Sequence, residues 1–286
     1  MSTRVVFWNV QHGHATYIRS PNGKNIVVDL GTGSVGSNQP DFSPLLHLKN
    51  SWGVRALHQL IITHPHRDHI DDILRIDSLR PTVFTRPKHL TPEEILAGVQ
   101  RQARPKFDKY IELDQRYIGD PAGSPDDPTD MSKYGGLEMH SFVPKRCPRS
   151  NLNNHSVVSS FGFEGIKVVI PGDNEAPSFQ ELYESQHFQA IMRDADILLA
   201  PHHGRASGFD AEFVNLVNPR LTVISDGPFG DTSATSRYSQ TSRGWQVQRR
   251  SGLSEFRKCV TTRRDGVIVA EFGFDGMNPF LSVTID

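Results

Sequence analysis

The sequence predicts an α/β protein, and three observations support this class. The chain opens with strand-like runs separated by tight turns, beginning with residues 4–9. Later apolar runs, such as residues 166–170, have the length and composition of buried strands. Between the strands lie segments that read as helices, such as residues 211–217. We therefore expect strands and helices arranged in layers around an apolar core.

The individual elements follow from local patterns. A turn at residues 21–24 joins the second and third strands, and Leu45, Leu46 and Leu48 recur at helical spacing. Thr91, followed by a proline and two glutamates, marks the start of a helix. We expect strands at residues 4–9, 16–18, 25–31, 60–62, 82–85, 166–170, 196–200, 221–225, 258–262 and 267–272. We expect helices at residues 43–59, 71–79, 91–102 and 211–217, and one directly after residue 175.

Composition narrows the class of protein. The formal net charge of −1 does not indicate a nucleic-acid partner, so any such partner must be bound by a local concentration of charge. Cys147 and Cys259 form no disulfide framework and no metal-binding pair of cysteines. No stretch reads as a signal peptide, a membrane span or a flexible linker. We expect one domain over residues 1–286, cytoplasmic and without a membrane partner.

A cluster of histidines and an aspartate dominates the sequence. The apolar run at residues 60–62 breaks at Thr63, and His64, His66, Asp68 and His69 follow within six residues. In an extended chain, residues two apart point the same way, so the first two histidines can bind one cation. The aspartate and the last histidine then turn toward a second cation. The spacing therefore suits two adjacent metal ions rather than a polar loop.

This pattern resembles the metal-binding motif of the metallo-β-lactamase superfamily. The resemblance implies a four-layer αββα sandwich, with two sheets face to face and helices outside. Residues 9–15, Asn-Val-Gln-His-Gly-His-Ala, are similar to the Asp-Val-Gly-Gln-Gly-Asp-Ala motif of the hydrolase domain in ComEC-type DNA-uptake proteins. Asn9, His12 and His14 depart from it. The motif Pro-His-His-Gly at residues 201–204 also has the ComEC-type form.

The resemblance implies a set of metal ligands at strand ends. Asp173 follows a Gly at the end of a buried strand, where superfamily members place the aspartate that bridges both metals. The third histidine of the first metal corresponds to His155, in a segment similar to the ComEC-type Asn-Asn-x-Ser motif. Asn154 or another nearby side chain is the alternative. The expected ligands are His64, His66 and His155 for the first metal, and Asp68, His69 and His202 for the second.

Further residues are expected to support catalysis. Asp68, Asp173 and His203 form the expected catalytic set, in which His203 either makes a supporting hydrogen bond or contacts the substrate or leaving group. Asp29 ends a buried strand, where an unpaired carboxylate would be costly. The resemblance implies that it supports the metal loop, and a turn-capping role is the alternative.

Several cationic or histidine side chains are candidates for contacting an anionic substrate. His12 and His14 either join the site or are ordinary surface histidines. Arg205 stands where the ComEC-type motif has serine. Arg249 and Arg250 belong to a basic C-terminal region, which either follows a phosphate backbone or is a solvated surface. The proline-rich insertion at about residues 86–150 either shapes the substrate entrance or is a plain surface feature.

These assignments predict a hydrolase with two divalent metal ions, Zn²⁺ or Mn²⁺, because nitrogen and oxygen ligands without sulfur suit both metals. A water shared by two such cations loses a proton near neutral pH and becomes a nucleophile. The ComEC-type resemblance implies a nuclease or phosphodiesterase with DNA as substrate. One alternative is a small-molecule hydrolase, such as a cyclic nucleotide phosphodiesterase or a lactonase. Another is a metal-stabilised module without catalysis.

Overall fold

Two β-sheets form the centre of the molecule. The computed structural model describes residues 1–33, 42–227 and 233–286. The first sheet contains nine strands in the order β12-β11-β15-β14-β1-β2-β3-β4-β5, and the second contains six in the order β13-β10-β9-β8-β7-β6. The strands are β1 Ser2–Phe7, β2 Thr16–Arg19, β3 Asn25–Val28, β4 Leu57–Ile61, β5 Pro81–Thr85, β6 Glu138–Phe142, β7 Val158–Phe163, β8 Ile166–Ile170, β9 Ile197–Leu199, β10 Leu221–Ile224, β11 Trp245–Arg249, β12 Ser254–Arg257, β13 Cys259–Thr261, β14 Ile268–Phe274 and β15 Pro279–Ile285.

Helices cover the outer face of each sheet. They are α1 Pro44–Asn50, α2 Arg67–Ile70, α3 Pro92–Leu96, α4 Arg104–Arg116, α5 Ala176–Tyr183, α6 Gln186–Met192, α7 Ala211–Val217, α8 Thr235–Thr241 and α9 Thr262–Asp265. Within the described ranges, every helix is too short or too polar to cross a lipid bilayer.

Alternating side chains along the strands build the layers. In β1, Val5 and Phe7 point into the core between the two sheets, whereas Val6 points to the opposite face. That opposite face packs against α1, α3 and α4. The outer face of the second sheet packs against helices α5 to α8, with Phe179 and Phe213 stacked at a centroid distance of 4.1 Å. The four-layer αββα prediction is confirmed.

Parallel pairing brings several strand ends to one edge. Strand β4 runs parallel to β3 and β5, and in the second sheet β8, β9, β10 and β13 are parallel neighbours. Loops that follow the carboxyl ends of parallel strands meet at the same edge of a sheet. The predicted metal motifs follow β4, β8 and β9, so this edge carries the candidate site.

Several local predictions were wrong. The helix expected at residues 91–102 ends at Leu96, and the one expected at residues 71–79 is a 3-10 helix over Ile73–Leu79. The first helix ends at Asn50 rather than near residue 59, because Gly53 has a left-handed φ of 66° and the chain from Leu57 onward joins the first sheet. The proline-rich region contains α4, a helix of 13 residues that we did not predict. It buries Phe107, Tyr110 and Leu113 against the first sheet, and Pro105 stands at its start, where a missing N–H is tolerated.

Candidate metal centre

Two carboxylates and two histidines form the centre of the site. The Nε2 atom of His203 lies 3.2 Å from Oδ2 of Asp68 and 3.3 Å from Oδ2 of Asp173. The Nε2 atom of His69 lies 3.3 Å from Oδ1 of Asp173. His12 approaches from the loop after β1, with its Nε2 3.3 Å from Oδ2 of Asp68. This group contains the residues that we expected around the second metal, with His203 in the place that we gave to His202.

A second group of imidazoles also adjoins Asp173. His64 Nε2 and His66 Nδ1 are 2.9 Å apart, and His64 Nε2 lies 4.0 Å from Oδ2 of Asp173. His202 Nε2 lies 3.9 Å from the same carboxylate oxygen, while its Nδ1 is 3.2 Å from Oε1 of Glu175. Asp173 therefore stands between two sets of imidazoles, as a bridging carboxylate would.

Close backbone packing holds these residues in place. Gly172, with a φ of 62°, lets the chain turn sharply before Asp173, and a Cβ there would lie 2.7 Å from Cβ of Ser156. His202 and His203 have positive φ angles of 49° and 54°, which non-glycine residues rarely adopt. Such backbone strain persists only where the surrounding structure holds it, and it concentrates at functional sites.

The two groups together form the histidine–aspartate cluster of the site, called the cluster below. Asp29 lies behind this cluster and orients it. Its Oδ1 accepts a hydrogen bond from the backbone N–H of Thr63 at 2.7 Å, and its Oδ2 accepts one from the Thr63 hydroxyl at 2.8 Å. The same Oδ2 lies 2.8 Å from Nδ1 of His69 and 2.9 Å from Nδ1 of His14. An imidazole that donates from Nδ1 presents Nε2 as a lone pair, so Asp29 directs His69 toward Asp173.

His203 is oriented in the same way by the backbone. Its Nδ1 donates to the carbonyl oxygen of Ser225 at 3.2 Å, so its Nε2 faces Asp68 and Asp173. Burial alone would lower the pKa of His203, but the carboxylates of Asp173 and Asp68 raise it to about 9. Burial likewise opposes the charge on His69, and the neighbouring carboxylates hold the pKa of that histidine well above its usual value.

His64, His66 and His12 have lowered pKa values and are neutral at pH 7. Burial, together with the neighbouring histidines, lowers the pKa of His64 well below its usual value and also lowers that of His66. Burial and then the charge of His203 lower the pKa of His12 to about 4. Neutral imidazoles are the form that binds metal ions.

The donor set fits divalent metal ions. His69 Nε2 and His203 Nε2 are buried and have no hydrogen-bond partner among the residues that the structure describes, although both point at carboxylates. Such orphaned buried atoms are expected where a bound ion completes the contacts. His64, His69 and Asp173 offer ligand atoms within 4.8 Å of one another, and so do His12, Asp68 and His203. Nitrogen and oxygen donors of this kind suit zinc or manganese.

The structure corrects our assignment of His155. This side chain is fully buried, and its Nδ1 lies 3.1 Å from Nε2 of His89 and 3.2 Å from Nη1 of Arg149. It therefore turns toward residues of the proline-rich insertion instead of the cluster. In the same segment, Ser156 Oγ accepts a hydrogen bond from the backbone N–H of Asp173 at 3.1 Å. The alternative that we left open matches in part: His155 is turned aside, but Asn154 Oδ1 accepts hydrogen bonds from the Glu175 N–H and the Ser178 hydroxyl.

His14 is also corrected. It is only 2% exposed, and its two ring nitrogens bind Asp29 and the hydroxyl of Thr16, the latter at 2.8 Å. A buried side chain with both nitrogens occupied cannot contact a substrate. His14 therefore steadies Asp29, and it is neither a surface residue nor a substrate ligand.

Arg249 and Arg250 are already paired within the fold. Arg249 forms an ion pair with Glu255 and donates from Nη1 to the carbonyl oxygen of Asp286 at 3.1 Å. Arg250 pairs with the Asp286 carboxylate at 2.9 Å. Because β11 lies next to the far edge of the first sheet, with six strand steps between it and β4, these arginines do not line the cluster. Arg205, in contrast, lies close enough that its charge helps to lower the pKa of His12.

Sequence reasoning left the role of His12 open and missed that of Glu175. His12 belongs to a turn that departs from the ComEC-type motif, and its partner Asp68 lies 56 positions further on. The sequence suggests that Glu175 is a surface acid at the start of a helix. It does cap α5, but its carboxylate also contacts His202. Only the fold brings these pairs together.

The fold and donor set define a metal-binding α/β sandwich, and comparison with known proteins identifies its family. The model of the metallo-β-lactamase superfamily matches residues 8–225. The chain belongs to this superfamily, whose members include metal-dependent hydrolases.

One curated relative and several solved structures are similar to the chain. ComE operon protein 3 of Bacillus subtilis (strain 168) is 24% identical over 233 residues, which cover 77% of this chain and 28% of that protein. This chain therefore corresponds to about a quarter of that relative's length. A diphosphatase of the PhnP family is 10% identical, with a TM-score of 0.40, over 84% of this chain and 91% of that one. The short form of human tRNase Z is 12% identical, with a TM-score of 0.40, over 80% and 95%.

Proposed function

We propose that the chain is a dinuclear metal-dependent phosphodiesterase that cleaves DNA. The observation that carries the hydrolytic part is the position of Asp173 between two groups of imidazoles, with Asp68 completing one of them. This arrangement provides ligands for two adjacent cations. When bound, two divalent cations would lower the pKa of water and stabilise negative charge on the attacked group.

The side chains have distinct tasks in this reaction. Asp173 holds both halves of the site at a fixed separation, and Asp68 fixes the half that contains His69 and His203. Asp29 and the Ser225 carbonyl keep the two imidazoles in the tautomer that presents Nε2. His12, which is neutral at pH 7, lines the rim beside Asp68. These groups position a phosphodiester for attack without moving themselves.

Cations at the rim support an anionic substrate. Arg205 follows the two histidines of the β9 loop and lies near His12, and it forms no ion pair with the described residues. Arg263, on α9, is exposed and donates to the carbonyl oxygen of Gly227 at 3.4 Å. Gly227 in turn packs against the backbone of His12. Both guanidinium groups therefore stand near the cluster, where phosphates of a strand would pass.

The choice of DNA rests on the resemblance to ComEC-type hydrolases. The motifs at residues 9–15, 151–158 and 201–204 carry that resemblance, and the similarity to ComE operon protein 3 supports it. The chain matches only part of that protein, so a biological role in DNA uptake does not follow.

A DNA-cleavage assay tests the proposal. Linear and circular DNA would be incubated with metal-free protein to which Mn²⁺, Mg²⁺ or Zn²⁺ is added, and the products separated on a gel. Metal-dependent cleavage is expected, and Asp173→Ala should abolish it. Asp196→Ala is the matched control, because Asp196 is an equally buried carboxylate that binds Lys167 and Arg220 at the other end of β9. Cleavage that survives Asp173→Ala would refute the proposal.

A pocket beside His66 supports a second candidate, a small-molecule hydrolase. The pocket has a volume of about 420 Å³, within the range of small-ligand sites. Its walls combine apolar side chains with charged ones, namely Ile95, Val99, Phe107, Leu152, Arg67, Glu94 and Arg149. Residues of the proline-rich insertion form much of it. A cyclic nucleotide or a lactone would fit such a pocket, while its reacting group lies at the cluster.

Substrate competition separates the two candidates. The small-molecule function predicts rapid turnover of a cyclic nucleotide or lactone with no DNA cleavage. It also predicts that Val99→Trp, which fills the pocket, raises the KM for the small substrate. The nuclease function predicts DNA cleavage with slow turnover of both small substrates. A protein that binds metal but is inert toward all of them would favour a non-catalytic module.

A further inference from the structure

A basic cleft lies at the end of the first sheet opposite the metal centre. It is lined by Arg4 on β1, by Arg19 at the end of β2, and by Trp52 and Arg55 in the loop before β4, and its floor includes Tyr17. Its volume is about 450 Å³. We call this feature the arginine cleft.

The arginines of the cleft have no acidic partners within the part of the chain that the structure describes. Arg4 and Arg19 are directly opposite each other on antiparallel strands, an arrangement that is destabilising for like charges. Glu271 is opposite Arg4 on the other neighbouring strand, but its carboxylate accepts a hydrogen bond from the Ser2 hydroxyl at 2.7 Å and forms no ion pair with Arg4. Arg249 and Arg250, in contrast, are neutralised by acids. The fold therefore leaves positive charge concentrated at the cleft.

An exposed aromatic ring stands among these charges. Trp52 is 40% exposed, which is unusual for so large an apolar side chain. Its indole is supported from below by Tyr17 at a centroid distance of 5.2 Å and by His47 at 4.9 Å. The guanidinium carbon of Arg4 lies 5.9 Å from its centroid. The ring is thus fixed in place by other rings while part of its surface faces solvent.

We propose that the arginine cleft binds single-stranded nucleic acid, with the arginines on the phosphates and Trp52 stacked on a base. Sites that bind single strands combine a cationic groove with aromatic stacking platforms. An acidic peptide would use the arginines but not the exposed indole. The cleft is open, and its three arginines come from separate elements and are all exposed. It therefore suits a passing strand better than an enclosed free nucleotide.

The cleft is separate from the proposed active site. Arg4, Arg19 and Arg55 lie at the ends of β1, β2 and β4 that are remote from the cluster, because the metal-binding loops leave or enter these strands at their other ends. Four to five residues of strand correspond to about 15 Å. The inference goes beyond the proposed cleavage, since the cleft could hold a strand whether or not the metal centre cuts it.

Binding of a labelled oligonucleotide tests the inference without relying on cleavage. Fluorescence anisotropy would measure the Kd of a fluorescein-labelled oligothymidylate over a range of salt concentrations, using metal-free protein in EDTA. The test variant is the triple substitution Arg4→Gln, Arg19→Gln and Arg55→Gln. If each arginine contacts one phosphate and each contact releases about 0.7 counterions, the slope of log K against log salt should become less steep by about 2 in the triple variant. Its affinity at about 0.05 M salt should fall on the order of a hundredfold.

A matched control removes the same charge elsewhere. The control substitutes Arg193, Arg237 and Arg243 by Gln, three exposed arginines on the helical side of the second sheet. It should keep the wild-type slope, and circular dichroism and thermal melting verify that both variants are folded.

The aromatic contact has its own test. Trp52→Ala should weaken oligonucleotide binding about tenfold with an unchanged salt slope, and Trp52→Phe should retain most of the affinity. A triple variant that binds with wild-type affinity and slope would overturn the inference. Binding of free thymidine monophosphate as tight as that of the oligonucleotide would also overturn it, because the cleft would then be a nucleotide pocket. Failure of DNA cleavage in the separate gel assay leaves these outcomes unaffected.

Discussion

Replacing Asp29 by asparagine tests whether this residue positions the metal ligands. The carboxylate accepts four hydrogen bonds, one at Oδ1 from the Thr63 N–H and three at Oδ2 from the Thr63 hydroxyl, His14 and His69. An amide has a single oxygen. If that oxygen takes the Oδ2 position, the NH₂ group faces the Thr63 N–H. If it takes the Oδ1 position, both imidazoles lose their acceptor.

Either orientation leaves at least one buried donor facing another donor. The expected loss of stability is about 1–3 kcal/mol, from the cost of an unsatisfied buried group. Asparagine tolerates the left-handed backbone at this position, where φ is 59°, so backbone strain adds little. The variant also removes the negative charge that makes His69 a better ligand, and loss of such support lowers metal affinity about 10–100-fold.

Two measurements check this prediction. Competition with a chromophoric chelator gives the zinc affinity, and urea unfolding of the metal-free protein gives the stability. Asp114→Asn is the control, because Asp114 pairs with the buried Arg86 at 2.5 Å, away from the cluster, and should lose stability without losing zinc affinity. If Asp29→Asn binds zinc within threefold of wild type, Asp29 does not position the ligands as argued.

Three further predictions concern ligands, protons and substrate charge. His203→Ala should lower the metal bound per chain after dialysis, whereas His155→Ala should retain it, and elemental analysis showing the reverse would contradict the ligand assignment. The raised pKa of His203, about 9 against 6.5, means that its proton stabilises the metal-free fold below pH 6.5 and that this stability is lost as pH rises through 9. Zinc affinity should rise between about pH 6.5 and pH 9, because zinc displaces the His203 proton, and calorimetry in two buffers would detect the proton release. A zinc affinity that is independent of pH would argue against displacement of that proton. Arg205→Gln should flatten the salt dependence of DNA binding. Arg249→Gln and Arg250→Gln should leave it unchanged, because both arginines are paired within the fold. A flatter salt dependence in either of these two variants would return Arg249 and Arg250 to the DNA-binding surface.

The strand-end motifs were predictable because they depend on short-range geometry. The series from His64 to His69 lies within six residues directly after an apolar run, so nearness along the chain brings these side chains to one place, although Asp68 and His69 lie in the short helix α2 and not in an extended segment. Asp173 follows a buried strand and a glycine, which again needs only local reasoning. The αββα layers were predicted through the resemblance that these motifs carry, and the structure confirms them.

Elements within the proline-rich region were harder to predict. Pro105 and its neighbours suggest loops, yet α4 forms because its apolar side chains find the first sheet. Tertiary packing supplies most of the stability of a short helix, and a single sequence does not show that packing.

By itself, the sequence predicted a set of candidate metal ligands and the strands that carry them, since both depend on neighbours along the chain. The tertiary structure alone decided that His203 rather than His202 contacts Asp68, and that His155 faces away. It also decided which arginines are free to bind, because Glu255 and Asp265 reach Arg249 only through the pairing of β12 with β11 and the packing of α9 beside them. A side chain's direction and its charged partners depend on how separate strands and loops pack, and no local pattern specifies that.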